Sequence, residues 1–328
     1  MRLGLSQASY RWVCYPPLRH DNAGVYLFNV DEPSFLNYGR PLPYVNSIPG
    51  PAPGRHVEWI IDRAADLSLS PLYMTSAWLR DEAHAREVGR YLRARGVELI
   101  GGGNGDFAAT GPEWDAERAK FVRHMELARA AGAAIIAAVH NGAIEHNHFS
   151  KHPPIDVQVE RMIANFAGLC GDAERIGIVM AFENHMDYRC SEIARVVAGV
   201  DSPWLRVNFD FANSLSVIED PVDAVKAVAK WTVMTHLKDM RVQPKTLEGE
   251  PKIMCTPLGD GSVDVDEILR ILQAEAPDPA GLPHCLEIAV LPDQDPELWV
   301  RKSVRYVDRH YAHLFPDAAK RAELKERI

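Results

Sequence analysis

Eight short apolar runs, each bounded by polar or glycine residues, recur along the 328-residue chain with helix-patterned segments between them. The runs are Leu3–Ser6, Leu72–Thr75, Val97–Gly101, Ile135–Val139, Ile178–Phe182, Leu205–Phe209, Val233–Leu237 and Cys285–Ala289. Between them apolar residues return every three or four positions. Val57-x-x-Ile60-Ile61-x-x-Ala64 and Val222-x-x-Val225-x-x-Val228 are two examples of this buried-stripe spacing. Strands that alternate with helices pair in parallel through right-handed crossovers. Eight such units predict an α/β fold, a single (β/α)8 TIM barrel. The competing architecture is an open doubly wound sheet, which usually carries a glycine-rich dinucleotide loop after its first strand. Here Gln7-Ala8-Ser9-Tyr10 follows instead.

The pattern places the barrel over residues 1–316 and leaves a polar, helix-prone tail over 317–328. Residues 10–54 form an abnormally long insertion after the first strand, rich in proline and in aromatics such as Trp12, Tyr26 and Phe35. A loop of this length in a compact domain is usually functional or disordered, and aromatic content disfavours disorder. Structural cover, a lid or specificity loop at the mouth, and a subunit interface all fit it. A second long connection, Asp239 to Gly261, also belongs to the mouth.

A net charge of −9 argues against a nucleic-acid backbone as the main partner. The N-terminus lacks the apolar core of a signal peptide, and the longest apolar stretch, Ala130 to Val139, is too short to span a bilayer. The five cysteines form no CxxC pair, so neither a zinc knuckle nor a disulfide framework is implied. The expectation is a reduced, cytoplasmic protein that binds neither nucleic acid nor membrane.

Glu183, Asp210, His236 and Glu287 lie at or just after the ends of the last four runs. In neighbouring parallel strands all four side chains would emerge at one rim, where α/β barrels keep their chemistry. Three carboxylates and one imidazole suit a divalent cation such as Mn²⁺, Mg²⁺ or Co²⁺. Such an ion stabilises negative charge beside a carbonyl, while Glu183 and Glu287 are placed to move a proton α to it. The fourth run leads into His140-Asn141-Gly142-Ala143-Ile144-Glu145-His146-Asn147-His148. His140 is the candidate general base there, and His146 and His148 are candidate substrate contacts or solvated loop residues. His185, two residues beyond Glu183, either touches substrate or lies on the surface. Asp239 is either an acceptor that holds a ligand or half of a loop salt bridge. The glycines of Gly101-Gly102-Gly103-Asn104-Gly105 lack a P-loop ending and read as a close backbone approach.

With these residues placed, the chain resembles the xylose-isomerase-like barrels of sugar isomerases and epimerases. The pattern is Glu183-x-His185, Asp210, His236-x-Lys238-Asp239 and Glu287, with Pro257-Leu258-Gly259-Asp260-Gly261. The resemblance implies one barrel holding a Mn²⁺-like ion. Ketose 3-epimerases of this type carry a Glu where Arg189 stands, a His at Asn213, and an Arg at Val242, one place after Arg241. Asn213 and Arg241 are therefore candidate substrate contacts that depart from the pattern. The long aromatic loop and the stretch 146–155 resemble the large subunits of bacterial C-glycoside deglycosidases. That resemblance implies a separately encoded small β-rich subunit and a 3-oxo-C-glycoside substrate. It also implies removal of the proton at carbon 2 and departure of the aglycone from carbon 1. Isomerase or epimerase chemistry on another sugar, cyclitol or keto acid is the alternative.

Overall fold

The computed structural model describes residues 1–14, 47–52, 54–142, 145–244, 249, 251–290 and 294–324. Most of the long insertion, and the expectations attached to it, lie outside the described residues. Eight parallel strands close a barrel: β1 (Arg2–Ser6), β2 (Leu72–Thr75), β3 (Leu99–Gly105), β4 (Ile135–His140), β5 (Val179–Glu183), β6 (Leu205–Asp210), β7 (Thr232–Leu237) and β10 (Pro283–Leu286). β10 pairs with both β7 and β1, with Cys285 opposite His236 and Leu5 opposite Leu286. This closure removes the sheet edges and rules out the open doubly wound alternative.

Helices α1 (His56–Asp66), α2 (Glu82–Ala94), α3 (Gly111–Ala130), α4 (Ile155–Ile176), α5 (Cys190–Val200), α6 (Pro221–Val228), α7 (Val265–Glu275) and α8 (Pro296–His310) connect or follow the strands. Among the described residues no helix is long and apolar enough to cross a membrane. Side chains alternate along each strand, so one set faces the barrel axis and the other meets the helices. Tyr73, Ile100, Ala137, Ala181, Met234 and Cys285 fill the axial core. Outside it, the Phe107 ring lies 5.2 Å from Phe121 and 4.6 Å from Phe166, and Phe166 lies 4.8 Å from Phe182. Truncating one of these buried rings to alanine costs about 3–5 kcal/mol.

The third strand runs further than its apolar residues predict, through the glycines to Gly105. A Cβ on Gly101 would come within 2.6 Å of Ala128 Cβ, and one on Gly102 within 2.7 Å of the Tyr73 ring. Glycine thus lets α3 close on the sheet from outside while Tyr73 occupies the axis. The last strand is shorter than predicted, so Glu287 follows its end.

The Asp239–Gly261 connection contains an antiparallel hairpin, β8 (Asp239–Gln243) with β9 (Lys252–Thr256). Asp239 is not a ligand holder or half of a salt bridge. Its carboxylate accepts the amides of Gly259, Gly261 and Val263 at 3.0, 2.9 and 3.3 Å, folding the connection over the rim. In the C-terminal segment, α9 (Ala318–Leu324) buries Arg321, whose Nε donates to Asp308 Oδ1 over 2.9 Å.

Candidate metal centre

Glu183 ends β5, Asp210 ends β6, His236 is the penultimate residue of β7, and Glu287 follows β10. Their positions share the axial parity of Ala181, Asn208, Met234 and Cys285, so closure brings them to one point. One ligand atom from each lies within 4.8 Å of the others. His236 Nδ1 stands 3.3 Å from Glu183 Oε1, 3.4 Å from Glu287 Oε2 and 3.8 Å from Asp210 Oδ2. The Tyr73 ring covers the imidazole at 4.6 Å between centroids.

Hydrogen bonds hold each carboxylate in place. Asn208 Nδ2 donates to Glu183 Oε2 over 3.0 Å, and Asn213 Nδ2 donates to Glu183 Oε1 over 3.3 Å. Asp210 Oδ1 accepts the amides of Ala212 and Asn213 at 2.9 and 3.0 Å, as the turn after β6 folds back on its own strand end. Ser6 Oγ donates to Glu287 Oε1 over 3.0 Å. The buried Lys238 Nζ lies 2.7 Å from Asp210 Oδ2 and 2.9 Å from Glu287 Oε2, and donates to Asn213 Oδ1 over 3.1 Å. Asn208, Ser6 and Lys238 have no predicted role in the sequence reading. Period two could have found Asn208, two residues before Asp210 on β6, and pointed to Lys238, two residues after His236 just past the end of β7.

Burial opposes charge throughout this site, and its neighbours decide the balance. Desolvation acts against a charged His236, but Glu183, Glu287 and Asp210 outweigh it and hold the imidazole up at about 9. Desolvation also pushes Glu287 upward, and the charges of His236 and Lys238 reverse this and keep it well below the carboxylate range. Asp210 is raised by its complete burial, against the pull of Lys238.

Of the remaining predicted residues, His140 ends β4, His146 and His148 follow it, His185 follows β5, and Arg241 lies on β8. His140 has the parity of Ile136 and Ala138, which face the helices, and packs against Tyr188 at 4.9 Å and Phe107 at 6.2 Å between centroids. It is fully buried, neither ring nitrogen has a hydrogen-bond partner among the described residues, and its Nε2 lies 4.0 Å from Asp106 Oδ1. Burial lowers its pKa. His146 Nδ1 meets the other oxygen of Asp106 at 2.6 Å, which sets both histidines beside one carboxylate. His148 Nδ1 lies 2.7 Å from Glu192 Oε1, and His185 Nδ1 lies 3.0 Å from Asp187 Oδ2. Burial lowers the pKa of His185, but Asp187 and Glu183 overcome this and raise it. Arg241, on the hairpin, is turned toward the segment after β9, with its guanidinium donating to the Asp260 carbonyl over 2.9 Å.

Three carboxylates and an imidazole that converge in a buried site fit a divalent cation. One oxygen of each carboxylate faces His236, and three buried acids beside one ammonium leave room for two positive charges.

Residues 57–310 match the family model described as the xylose isomerase-like TIM barrel. An inosose dehydratase of Lacticaseibacillus casei is 24% identical over 201 residues, which cover 56% of this chain and 67% of the relative. Among solved structures, the IOLI protein with a bound zinc atom superposes with a TM-score of 0.62 at 12% identity, covering 96% of this chain and 99% of that one. The 3-keto-D-glucoside 4-epimerase YcjR of E. coli superposes with a TM-score of 0.60 at 14% identity, covering 77% of this chain and 94% of that one. At these identities the structural likeness shows the fold, and the family model carries the assignment. The chain belongs to the xylose isomerase-like TIM barrel family.

Proposed function

We propose that the protein removes a proton from the carbon beside a sugar or cyclitol ketone, and that its substrate is a 3-oxo-C-glycoside which then loses its aglycone. One observation favours elimination over epimerisation of a free ketose. The positions where ketose 3-epimerases grip their sugar are engaged in the protein itself. Arg189 caps the start of α5 and its Nε donates to the Val217 carbonyl over 3.1 Å. Asn213 is locked between Glu183 and Lys238, the third position carries Val242 in place of an arginine, and Arg241 beside it holds the Asp260 carbonyl. Two relatives bear names that agree with this chemistry, one a dehydratase and one a 3-keto-D-glucoside epimerase.

Glu183, Asp210, His236 and Glu287 would hold a divalent ion. When bound, such an ion supplies Lewis-acid stabilisation of the oxyanion that develops at the ketone. Glu183 and Glu287 each turn one oxygen to the centre and rest the other on Asn208 or Ser6, so either is poised to take the proton from carbon 2. The electrons of that C–H bond pass into the enolate. As the carbonyl at carbon 3 re-forms, a double bond develops between carbons 1 and 2, and the bond from carbon 1 to the aglycone breaks. The departing aryl carbon needs a proton. His146, fixed by Asp106 through Nδ1, supplies it from Nε2, and His140 stands 4.0 Å from the same carboxylate. His148 and His185 are fixed in the same way by Glu192 and Asp187, which leaves their Nε2 atoms for substrate hydroxyls. A small β-rich partner subunit belongs to this reading.

The test is a proton NMR time course in D₂O. Mn²⁺-loaded protein, alone and co-expressed with any small neighbouring gene product, is given a 3-oxo-C-glucoside and several free ketoses. Release of free aglycone with an unsaturated ketosugar is expected. Deuterium entering a ketose beside its carbonyl, with the C-glycoside intact, would replace elimination by isomerase or epimerase chemistry.

A further inference from the structure

The oxygens that Lys238 pairs with are the ones that face the centre. Asp210 Oδ2 and Glu287 Oε2 each approach His236 Nδ1, and the same two atoms lie 2.7 and 2.9 Å from Lys238 Nζ. The opposite oxygens are occupied by backbone amides and by Ser6. Asn213 fixes the ammonium from a third side, and the lysine is 4% exposed, so its charge cannot swing out to water without dismantling the cluster. A mobile surface lysine would leave the acids to a metal; this one stays. With His236 neutral, as a metal-bound imidazole must be, three carboxylates and one fixed ammonium carry a net charge of minus two, which a divalent ion neutralises and a trivalent ion overshoots. Ions that share ligand oxygens at this range in a buried site repel strongly, because little water screens them.

We propose that Lys238 is a built-in counter-charge that sets the centre's preference for divalent over trivalent cations and holds Asp210 and Glu287 in register. It acts through the ligands, as a positioning residue. The inference rests on the metal-centre reading given above.

The experiment compares wild-type protein and Lys238→Met, both stripped of metal, by calorimetric titration with Mn²⁺ and Tb³⁺. Glu183→Gln serves to localise the binding. In Lys238→Met the ratio of Tb³⁺ to Mn²⁺ affinity should rise at least about tenfold, since the removed charge repels the trivalent ion more. The metal-free variant should also melt at lower temperature than wild type, with the loss recovered on adding Tb³⁺. A folded Lys238→Met with an unchanged ratio overturns the inference and leaves the metal centre standing. Wild-type protein that takes up no Mn²⁺, or takes it up equally in Glu183→Gln, overturns the metal-centre reading itself. If Lys238→Met does not fold, Lys238→Gln is refolded in Mn²⁺ or Tb³⁺. Greater recovery in Tb³⁺ supports the inference, and equal recovery overturns it.

Discussion

The side-chain amide of Asn213 donates to Glu183 Oε1 over 3.3 Å, while its carbonyl oxygen accepts from Lys238. A neutral residue thus joins one candidate metal ligand to the ammonium that pairs with two others. Asn213 is fully buried, so truncation leaves both neighbours short of a partner. Asn213→Ala should cost about 1–3 kcal/mol in urea unfolding. It should also weaken Mn²⁺ binding by about 10–100-fold, the range for residues that orient metal ligands. Unchanged stability and unchanged binding would show that the amide only fills space.

Tyr73 sits between Gly102 and His236, and the site depends on that spacing. In Gly102→Ala the new methyl would meet the tyrosine ring at 2.7 Å and drive it toward the imidazole 4.6 Å away. Overpacking of this kind costs about 1–3 kcal/mol. Metal affinity should fall in Gly102→Ala and recover in part when Tyr73→Ala is added. A double variant that binds metal no better than Gly102→Ala would break the proposed path from β3 through Tyr73 to β7.

His284 gives the fold an acid-sensitive point. It is fully buried, its Nδ1 meets Thr235 Oγ1 at 2.8 Å, and desolvation lowers its pKa to about 3. Unfolded, it titrates near 6.5, so between about pH 6.5 and 3 the unfolded chain binds the extra proton. Stability therefore falls as pH drops through this window, by about 2 kcal/mol between pH 7 and 5 from this residue alone. Urea unfolding at the two pH values should show that loss in wild type and a smaller one in His284→Asn. An equal loss in both would assign the acid sensitivity elsewhere.

The Asp106–His146 pair makes a kinetic prediction separate from the metal. His146→Gln should lower kcat by about 10²–10⁴-fold with Mn²⁺ affinity unchanged, as expected of a proton donor outside the ligand set. Asp106→Asn should do the same to a lesser degree. A matching loss of metal affinity would instead make the pair part of the centre's framework.

The four residues that the barrel brings together were legible because each lies at or near the end of an apolar run, and period two fixes which side chains face the axis. Parity placed His185 on the face of Glu183, while Lys238, two residues beyond His236, gained no role from sequence. Its partners lie on β6 and beyond β10, and only the pairing of β7 with both strands sets them beside it. Ser6 was hidden for the same reason, since β1 meets β10 only in the closed barrel. The β8–β9 hairpin read as loop because Pro244, Gly249 and clustered charges obscure the alternation in Met240-Arg241-Val242 and Ile253-Met254-Cys255. His140 was placed at a strand end correctly, but its parity puts it on the face that meets the helices, with Ala138.

The central claim is that Glu183, Asp210, His236 and Glu287 together hold one divalent cation. Electron paramagnetic resonance of metal-stripped protein titrated with Mn²⁺ tests it most directly. The prediction is saturation at one bound ion per chain, abolished in Asp210→Asn and in Glu287→Gln while both variants keep the wild-type circular dichroism. No bound Mn²⁺ in the folded wild type, or equal binding in the folded variants, would contradict it.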